Sequence, residues 1–266
     1  MELEIFQVDS FTLEAFKGNP AGVCITKNAL DEALMFAIAA EMAVSETAFL
    51  SLSDLRLRWF TPQVEVKLCG HGTLAVVHVL KEKGLLGVGD ELAFNTLSGA
   101  LRVKIENNHI EMDFPAARLD FDASVDEQML AFLGLSAAQV VSHSCFDSKN
   151  LIEIVSEQTL LALKPNYDGL KQLPGRGVLV TAKSASEDVD FISRYFAPWV
   201  GINEDPVTGS AHCALAVYWG DKLQKTKLKG YQASERGGFV DVERLPNQRV
   251  KLMGQAVTVL KGTMYV

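Results

Sequence analysis

Arg58-Trp59-Phe60-Thr61-Pro62 is echoed further along the chain by Arg194-Tyr195-Phe196-Ala197-Pro198. After each copy comes a short polar loop, then a glycine-led turn that opens an apolar run with helical spacing. In the first copy this is Cys69-Gly70-His71-Gly72-Thr73-Leu74-Ala75; in the second it is Thr208-Gly209-Ser210-Ala211-His212-Cys213-Ala214-Leu215. The offset is 136 residues at the Arg-x-Phe-x-Pro signature and 139 at the leading glycine, so the second loop is three residues longer. Half of the 266 residues is 133, which puts the copies at equivalent places in two halves. A doubled unit of this kind implies two pseudo-equivalent lobes, each aiming one helix N-terminus at a shared site.

The length allows two domains of about 130 residues, an ordinary domain size. Apolar residues make up 48% of the chain, ample for a core in each half, yet no stretch approaches the roughly 18 uninterrupted apolar residues of a membrane span. Met1-Glu2-Leu3-Glu4 lacks the basic start of a secretory signal, so a cytoplasmic protein is expected. The net charge of −8 argues against a nucleic-acid surface, which needs clustered Lys and Arg. The one basic cluster, Lys222 to Lys229, reads as a solvated turn after a helix. Four cysteines in a chain of this length, without a signal, read as reduced thiols.

Alternation predicts strands over 3–8, 22–26, 47–52, 55–60, 101–106 and 109–114 in the first half. Helices are predicted over 31–42, capped by Asn28 or Asp31, and over 70–83, closed by Gly84. Asn107-Asn108 reads as a two-residue hairpin turn. Residues 115–122 are the domain boundary. Beyond it, helices are predicted over 125–133 and 210–222, and strands over 140–145, 151–155, 178–182, 238–243, 249–253 and 256–261. Many short strands with one or two helices per half suggest, in each, a barrel-like sheet wrapped round a helix. Regular βαβ alternation is missing, which argues against a Rossmann fold.

A helix N-terminus presents unpaired N–H groups and partial positive charge, and glycine lets backbone approach an anion closely. Such glycines also serve simple packing, but two of them at equivalent positions, each beside titratable or hydroxyl side chains, favour an anion-binding role for Gly70, Gly72, Thr73, Gly209, Ser210 and Ala211. His71 lies inside the first turn. Asp205 precedes Pro206, which holds it extended and is expected to point its carboxylate out of the loop rather than into helix capping. Ser210 is suited either to capping or to binding a substrate oxygen, and His212 reads as a helix-surface imidazole. Glu46 sits in Ala43-Val44-Ser45-Glu46-Thr47-Ala48-Phe49, an apolar setting expected to raise its pKa towards neutrality, where a carboxyl can take and give a proton. Cys69 competes with it: a thiol before a helix N-terminus can be activated. Racemases of that type use two thiols, and the 139-residue offset puts Thr208 where the second would stand. Cys213 lies one turn into its helix and reads as packing. Cys69-Gly70-His71 and His212-Cys213 match no usual zinc spacing, so no metal is expected.

Together these segments resemble the phenazine-biosynthesis isomerase (PhzF-like) family of the diaminopimelate-epimerase-like superfamily. The resemblance is carried by Val8-Asp9-Ser10-Phe11-Thr12, Gly18-Asn19-Pro20-Ala21-Gly22-Val23, Ser45-Glu46-Thr47-Ala48-Phe49, Cys69-Gly70-His71-Gly72-Thr73, the run from Glu204 to His212, and Gln232-Ala233-Ser234-Glu235-Arg236-Gly237-Gly238. It implies an α+β fold of two pseudo-symmetric lobes, each a β-barrel-like sheet around a central helix, with the active site in the cleft between them. The first lobe would hold residues 1–115 and about 255–266, the second 116–254. The family's catalytic glutamate falls on Glu46, its histidine on His71, its aspartate on Asp205 and its substrate-binding serine on Ser210. The resemblance further implies a cofactor-independent homodimer without metal.

The leading expectation is therefore an isomerase that moves a proton at a carbon adjacent to, or conjugated with, the carboxylate of a small anionic metabolite. It would use no cofactor and engage neither nucleic acid nor membrane. A racemase or epimerase of an amino or imino acid built on Cys69, and an idle small-anion-binding protein, are the alternatives.

Overall fold

The computed structural model describes residues 1–122 and 124–266. Packing divides the chain into two units, Met1–Phe114 with Lys251–Val266, and Pro115–Val250. Each is an α+β assembly of many short strands and few helices.

The first unit runs β1 (Glu2–Ser10), β2 (Asn19–Thr26), α1 (Glu32–Met42), β3 (Glu46–Ser51), β4 (Arg56–Phe60), β5 (Glu65–Val66), α2 (Gly70–Glu82), β6 (Glu91–Thr96), β7 (Gly99–Ile105) and β8 (Ile110–Pro115). β1–β2 is antiparallel, β2–β3 parallel, and β3–β4 and β4–β5 antiparallel. β4 then meets β6 in parallel, and β6–β7 and β7–β8 are antiparallel hairpins. Asp31 starts α1 by accepting the Ala33 N–H, and Ala43 ends it in the left-handed region. This helix buries Met35, Ile38 and Ala39 against Phe49 and Phe60. α2 has buried residues round nearly its whole circumference and packs on β1, β2 and β3, the signature of a helix enclosed by a sheet.

The second unit runs α3 (Glu127–Leu133), β9 (Val140–Phe146), β10 (Lys149–Ile154), α4 (Glu157–Leu161), α5 (Tyr167–Lys171), β11 (Gly177–Lys183), β12 (Phe191–Ala197), β13 (Ile202–Asp205), α6 (Gly209–Leu223), β14 (Lys227–Gln232) and β15 (Gly238–Leu245), and the boundary between the units falls within β16 (Arg249–Gly254). Its pairings repeat those of the first in order and sense. β9–β10 is antiparallel, β10–β11 parallel, β11–β12 and β12–β13 antiparallel, β12–β14 parallel and β14–β15 antiparallel. α6 is buried nearly all round and packs on β14 and β15. The chain then returns to the first unit. β17 (Ala256–Tyr265) lies antiparallel to β1, from Ser10 against Ala256 to Glu2 against Tyr265, and also packs on α2.

The Arg-x-Phe repeat has a physical basis. Arg58 reaches Glu65 with Nε at 2.7 Å and Nη2 at 2.6 Å, clamping β4 to β5, and its guanidinium lies 4.8 Å from the ring centre of Phe60. Arg194 does the same with Glu204, both contacts at 2.8 Å, clamping β12 to β13 over Phe196 at 4.9 Å. Residues two apart on a strand share a face, so the phenyl ring falls beneath the guanidinium, and a planar fork suits a carboxylate. The partner glutamate is 7 residues on in the first copy and 10 in the second, which accounts for the three-residue difference in offset.

Two expectations are corrected. The Lys222–Lys229 cluster is not a turn: Lys227 and Lys229 lie on β14, alternating with buried Leu228 and Gly230, while Lys222 pairs with Glu153 and Lys225 with Asp190. His212 is not on a helix surface but is fully buried in α6 beside Phe191. Among the described residues no helix is long and apolar enough to cross a membrane, and all four cysteines are free thiols.

Candidate active site

The first unit gathers its polar side chains at the opening of α2. The β1–β2 loop holds Phe11, Phe16 and Gly18 in the left-handed region, and the buried Asp9 carboxylate ties it down by accepting the Phe16 N–H at 2.7 Å. A Cβ at Gly18 would lie 2.1 Å from the Ser10 carbonyl oxygen, so only glycine fits. The loop thus returns Asn19 opposite Ser10 at the head of the hairpin. β3 begins at Glu46, in register with Ala21 of β2. α2 is capped by Cys69, whose Sγ accepts the Gly72 N–H at 3.4 Å.

All of these meet at His71. Its Nε2 lies 3.2 Å from Glu46 Oε2 and 3.4 Å from Ser45 Oγ; its Nδ1 lies 3.3 Å from Asn19 Nδ2. Ser10 Oγ donates to the His71 carbonyl at 2.8 Å, which fixes the backbone beneath the ring. The His71 side chain is 7% exposed and that of Glu46 16%. Burial by itself would push the Glu46 carboxyl up, as its apolar neighbours in sequence suggested. The hydrogen bond and charge of His71 outweigh burial and hold it below the ordinary value, so the expected upward shift is corrected to a downward one. Burial likewise opposes the His71 cation; a charge on Cys69 and the Glu46 carboxylate each raise its pKa, and because the Cys69 thiol is itself held up, Glu46 is the partner charged along with it. Burial, with Glu46's charge added, pushes the Cys69 thiol up against the opposing effect of His71. The thiol is therefore protonated at neutral pH, and Glu46 is the anion that supports the imidazolium.

The ligand atoms of Glu46, Cys69 and His71 lie within 4.8 Å of one another, close enough to suggest a metal site. The geometry does not suit one. Cys69 Sγ is 3.6 Å from Nδ1 and 3.9 Å from Nε2, so the sulfur flanks the ring instead of sharing an ion bound in line with Nε2. Nε2 is itself turned to the Glu46 carboxylate.

Other expected contacts fare differently. Thr73 is fully buried and donates its hydroxyl to the Cys69 carbonyl at 2.6 Å, so it belongs to the helix start rather than to a ligand surface. Gly72 is buried against Trp59: a Cβ there would lie 2.8 Å from Trp59 Cδ1. Gly70 opens α2 as expected.

In the second unit Thr208 caps α6 and Gly209 opens it. The carboxylate of Asp205 accepts the Thr208 hydroxyl, so it faces the helix start, against the expectation that Pro206 would turn it away. Gln232 braces both, donating to the Asp205 carbonyl at 2.6 Å and accepting the Thr208 N–H at 2.9 Å. Ser210 is exposed and accepts from Lys149 Nζ at 3.2 Å, while Ala211 is wholly buried. Asn19, Ser10, Ser45, Lys149 and Gln232 escaped sequence reasoning as site residues. Asn19 lies between Gly18 and Pro20, a setting that marks a change of chain direction and no chemistry; only its contact with His71, 52 residues away, reveals it.

The family model described as "Phenazine biosynthesis-like protein" matches residues 8–262. An uncharacterized isomerase of Halalkalibacterium halodurans is 46% identical over 266 residues, covering 99% of each chain. A human phenazine biosynthesis-like domain-containing protein is 40% identical over 288 residues, covering 99% of each. The crystal structure of a PhzF-family phenazine biosynthesis protein from Enterococcus faecalis superposes with a TM-score of 0.92 at 39% identity, covering all of both chains.

Proposed function

Since the chain belongs to the phenazine biosynthesis-like family, whose relatives include proteins named as isomerases, we propose that it is a cofactor-independent isomerase. It shifts a proton between carbons of a small metabolite at a position adjacent to, or conjugated with, a carboxylate. The observation that carries this reading is the largely buried Glu46–His71 pair at 3.2 Å. The pair keeps Glu46 ionised and so ready to accept. In the reaction the C–H electron pair delocalises towards the substrate carboxylate as the proton passes to Glu46; Glu46, open to exchange with solvent, returns a proton to another carbon, and the atoms balance without a co-reactant. A bound substrate that expels water from Glu46 makes it a stronger base. His71 holds the carboxylate in place and opposes the developing negative charge, the kind of preorganised term that dominates many enzymes. Asp205 and Ser210 are proposed as substrate contacts, together with the helix-opening glycines Gly70 and Gly209. The cytoplasm as location and a homodimer as assembly belong to the same proposal.

The thiol alternative is disfavoured by the raised pKa of Cys69 and by Thr208, whose hydroxyl is engaged by Asp205. An idle binder differs from an enzyme in exchanging no ligand proton with solvent. The test begins with a thermal-shift screen of carboxylate metabolites, since a hundredfold excess over Kd adds about 2.7 kcal/mol. On the substrate so found, Glu46→Gln is expected to keep binding and lose turnover by about a hundredfold or more. Near-normal turnover would remove Glu46 from the mechanism.

A further inference from the structure

We infer that Asn19 is a positioning residue that lets His71 change its charge without losing its partner at Nδ1. The inference rests on the proposed role of Glu46 as the proton carrier with His71 as its support, and adds the group that makes both charge states of His71 accessible.

Asn19 is 0% exposed, and its side-chain amide meets His71 Nδ1 at 3.3 Å. Its backbone leaves it little choice of position. It is paired with Ser10, preceded by a glycine that cannot be replaced, and followed by Pro20, which keeps it extended. A primary amide has a donor end and an acceptor end, and the imidazole needs each in turn. When His71 is neutral, Nε2–H points to Glu46 and Nδ1 is a lone pair that accepts from the Asn19 NH2. When His71 is an imidazolium, Nδ1 carries a proton and requires an acceptor, which the same amide supplies by turning over. Among the described residues the one other group at Nδ1 is the Cys69 sulfur, at 3.6 Å, a weak donor and a weak acceptor. Ser45 lies at Nε2, Ser10 is committed to the His71 carbonyl, and the Cys69 sulfur flanks the ring.

The side chain chosen is informative. A carboxylate at this position would fix the imidazolium, and an apolar residue would leave Nδ1 only the weak Cys69 sulfur in the interior, where a poorly matched N–H is costly. The amide does neither, and so permits Glu46 and His71 together to hold one proton or two as the reaction proceeds. The titratable groups that face His71 are Glu46, at the head of β3, and Cys69, at the cap of α2. β1 and β2 present Ser10 and Asn19, which do not titrate, and the carboxylate of Asp9 on β1 is turned to the Phe16 N–H.

The test needs no substrate. The chain has 5 histidines, and the imidazole ¹⁵N resonances of His71 are identified by their loss in His71→Gln. They are followed by NMR against pH in the intact protein and in Asn19→Asp, Asn19→Leu and Asn19→Ser. Asn19→Asp is expected to raise the His71 midpoint by about one unit or more, the usual effect of an opposite charge in contact, and Asn19→Leu to lower it. Asn19→Ser, whose hydroxyl both donates and accepts, is expected to stay near wild type. If Asn19→Leu fails to fold, the order of Asp against Ser decides. Coincident midpoints in the folded variants would overturn the inference and leave Asn19 a packing residue. Failure of the proposed reaction shows separately, as retained turnover in Glu46→Gln with the order of midpoints intact.

Discussion

Replacing Gly72 with alanine tests the packing under the candidate site. The added Cβ would lie 2.8 Å from Trp59 Cδ1, 3.2 Å from Trp59 Nε1 and 3.1 Å from Cys69 Sγ, where ordinary contact begins at 3.4 Å. None of these atoms can retreat freely: Trp59 is 1% exposed within the core, and Cys69 is the helix cap. Overpacking of this kind costs about 1–3 kcal/mol. Against it stands the better helix propensity of alanine, at most about 1 kcal/mol and less in a first turn. The balance is a destabilisation of roughly 1–2 kcal/mol, or a fall in Tm of about 2–8 °C for a chain of this size. Urea melts of Gly72→Ala and of the same change in Trp59→Val isolate the cause. Trp59 Nε1 has no hydrogen-bond partner among the described residues, so Val removes both Cδ1 and Nε1 without orphaning a bond. In that background the alanine is expected to cost about 1 kcal/mol less. An alanine variant as stable as wild type, or equal costs in the two backgrounds, would refute the reasoning.

Cys69→Ala is expected to keep turnover and to lose no more than about 1 kcal/mol of stability, the scale of one cap; loss of activity with the fold and ligand binding intact would replace the Glu46 mechanism by a thiol one. The Glu46–His71 pair predicts a stability window. The lowered Glu46 contributes above its unfolded value of 4.5 and is lost as pH falls through its folded value; the raised His71 contributes fully below 6.5 and is lost as pH rises through its folded value. The gap in urea midpoint between wild type and Glu46→Gln should therefore be widest between those two values, and a gap independent of pH would contradict the pairing. His212, with its pKa pushed down to about 4 by burial against its 6.5 reference, is neutral in the fold and gains its proton first on unfolding. It removes about 3 kcal/mol as pH falls from 6.5 to 4, and His212→Gln should flatten that part of the acid-stability curve.

The fold was legible where local chemistry repeats. The Arg-x-Phe copies are two instances of one clamp, and the two glycine-led runs are the two enclosed helices, so the doubling could be read from residues alone. β5, with two residues, and α4 and α5, with five each, are too short to show a period. They are held by partners distant in sequence: Arg194 Nη1, for instance, ties down the carbonyls of Leu160 and Leu163 at the end of α4. The site divided along the same line. Glu46 and His71 stood out by residue type and setting, but the sign of the Glu46 shift depends on a contact across 24 intervening positions that apolar neighbours in sequence cannot reveal. His212 was misplaced for the related reason that a lone imidazole in a helix shows no face until the sheet around it is known.

The pairing of β1 with β17 carries a consequence for biosynthesis. Glu2 meets Tyr265, so the partner of the leading strand emerges from the ribosome after every residue of the second unit has been made. At about 5–20 residues per second the nascent first unit spends on the order of ten seconds or more with one side of β1 unpaired. The middle of the chain can mature before its beginning does. An exposed strand edge during that interval is the point at which chaperone binding, or aggregation, would act on this protein.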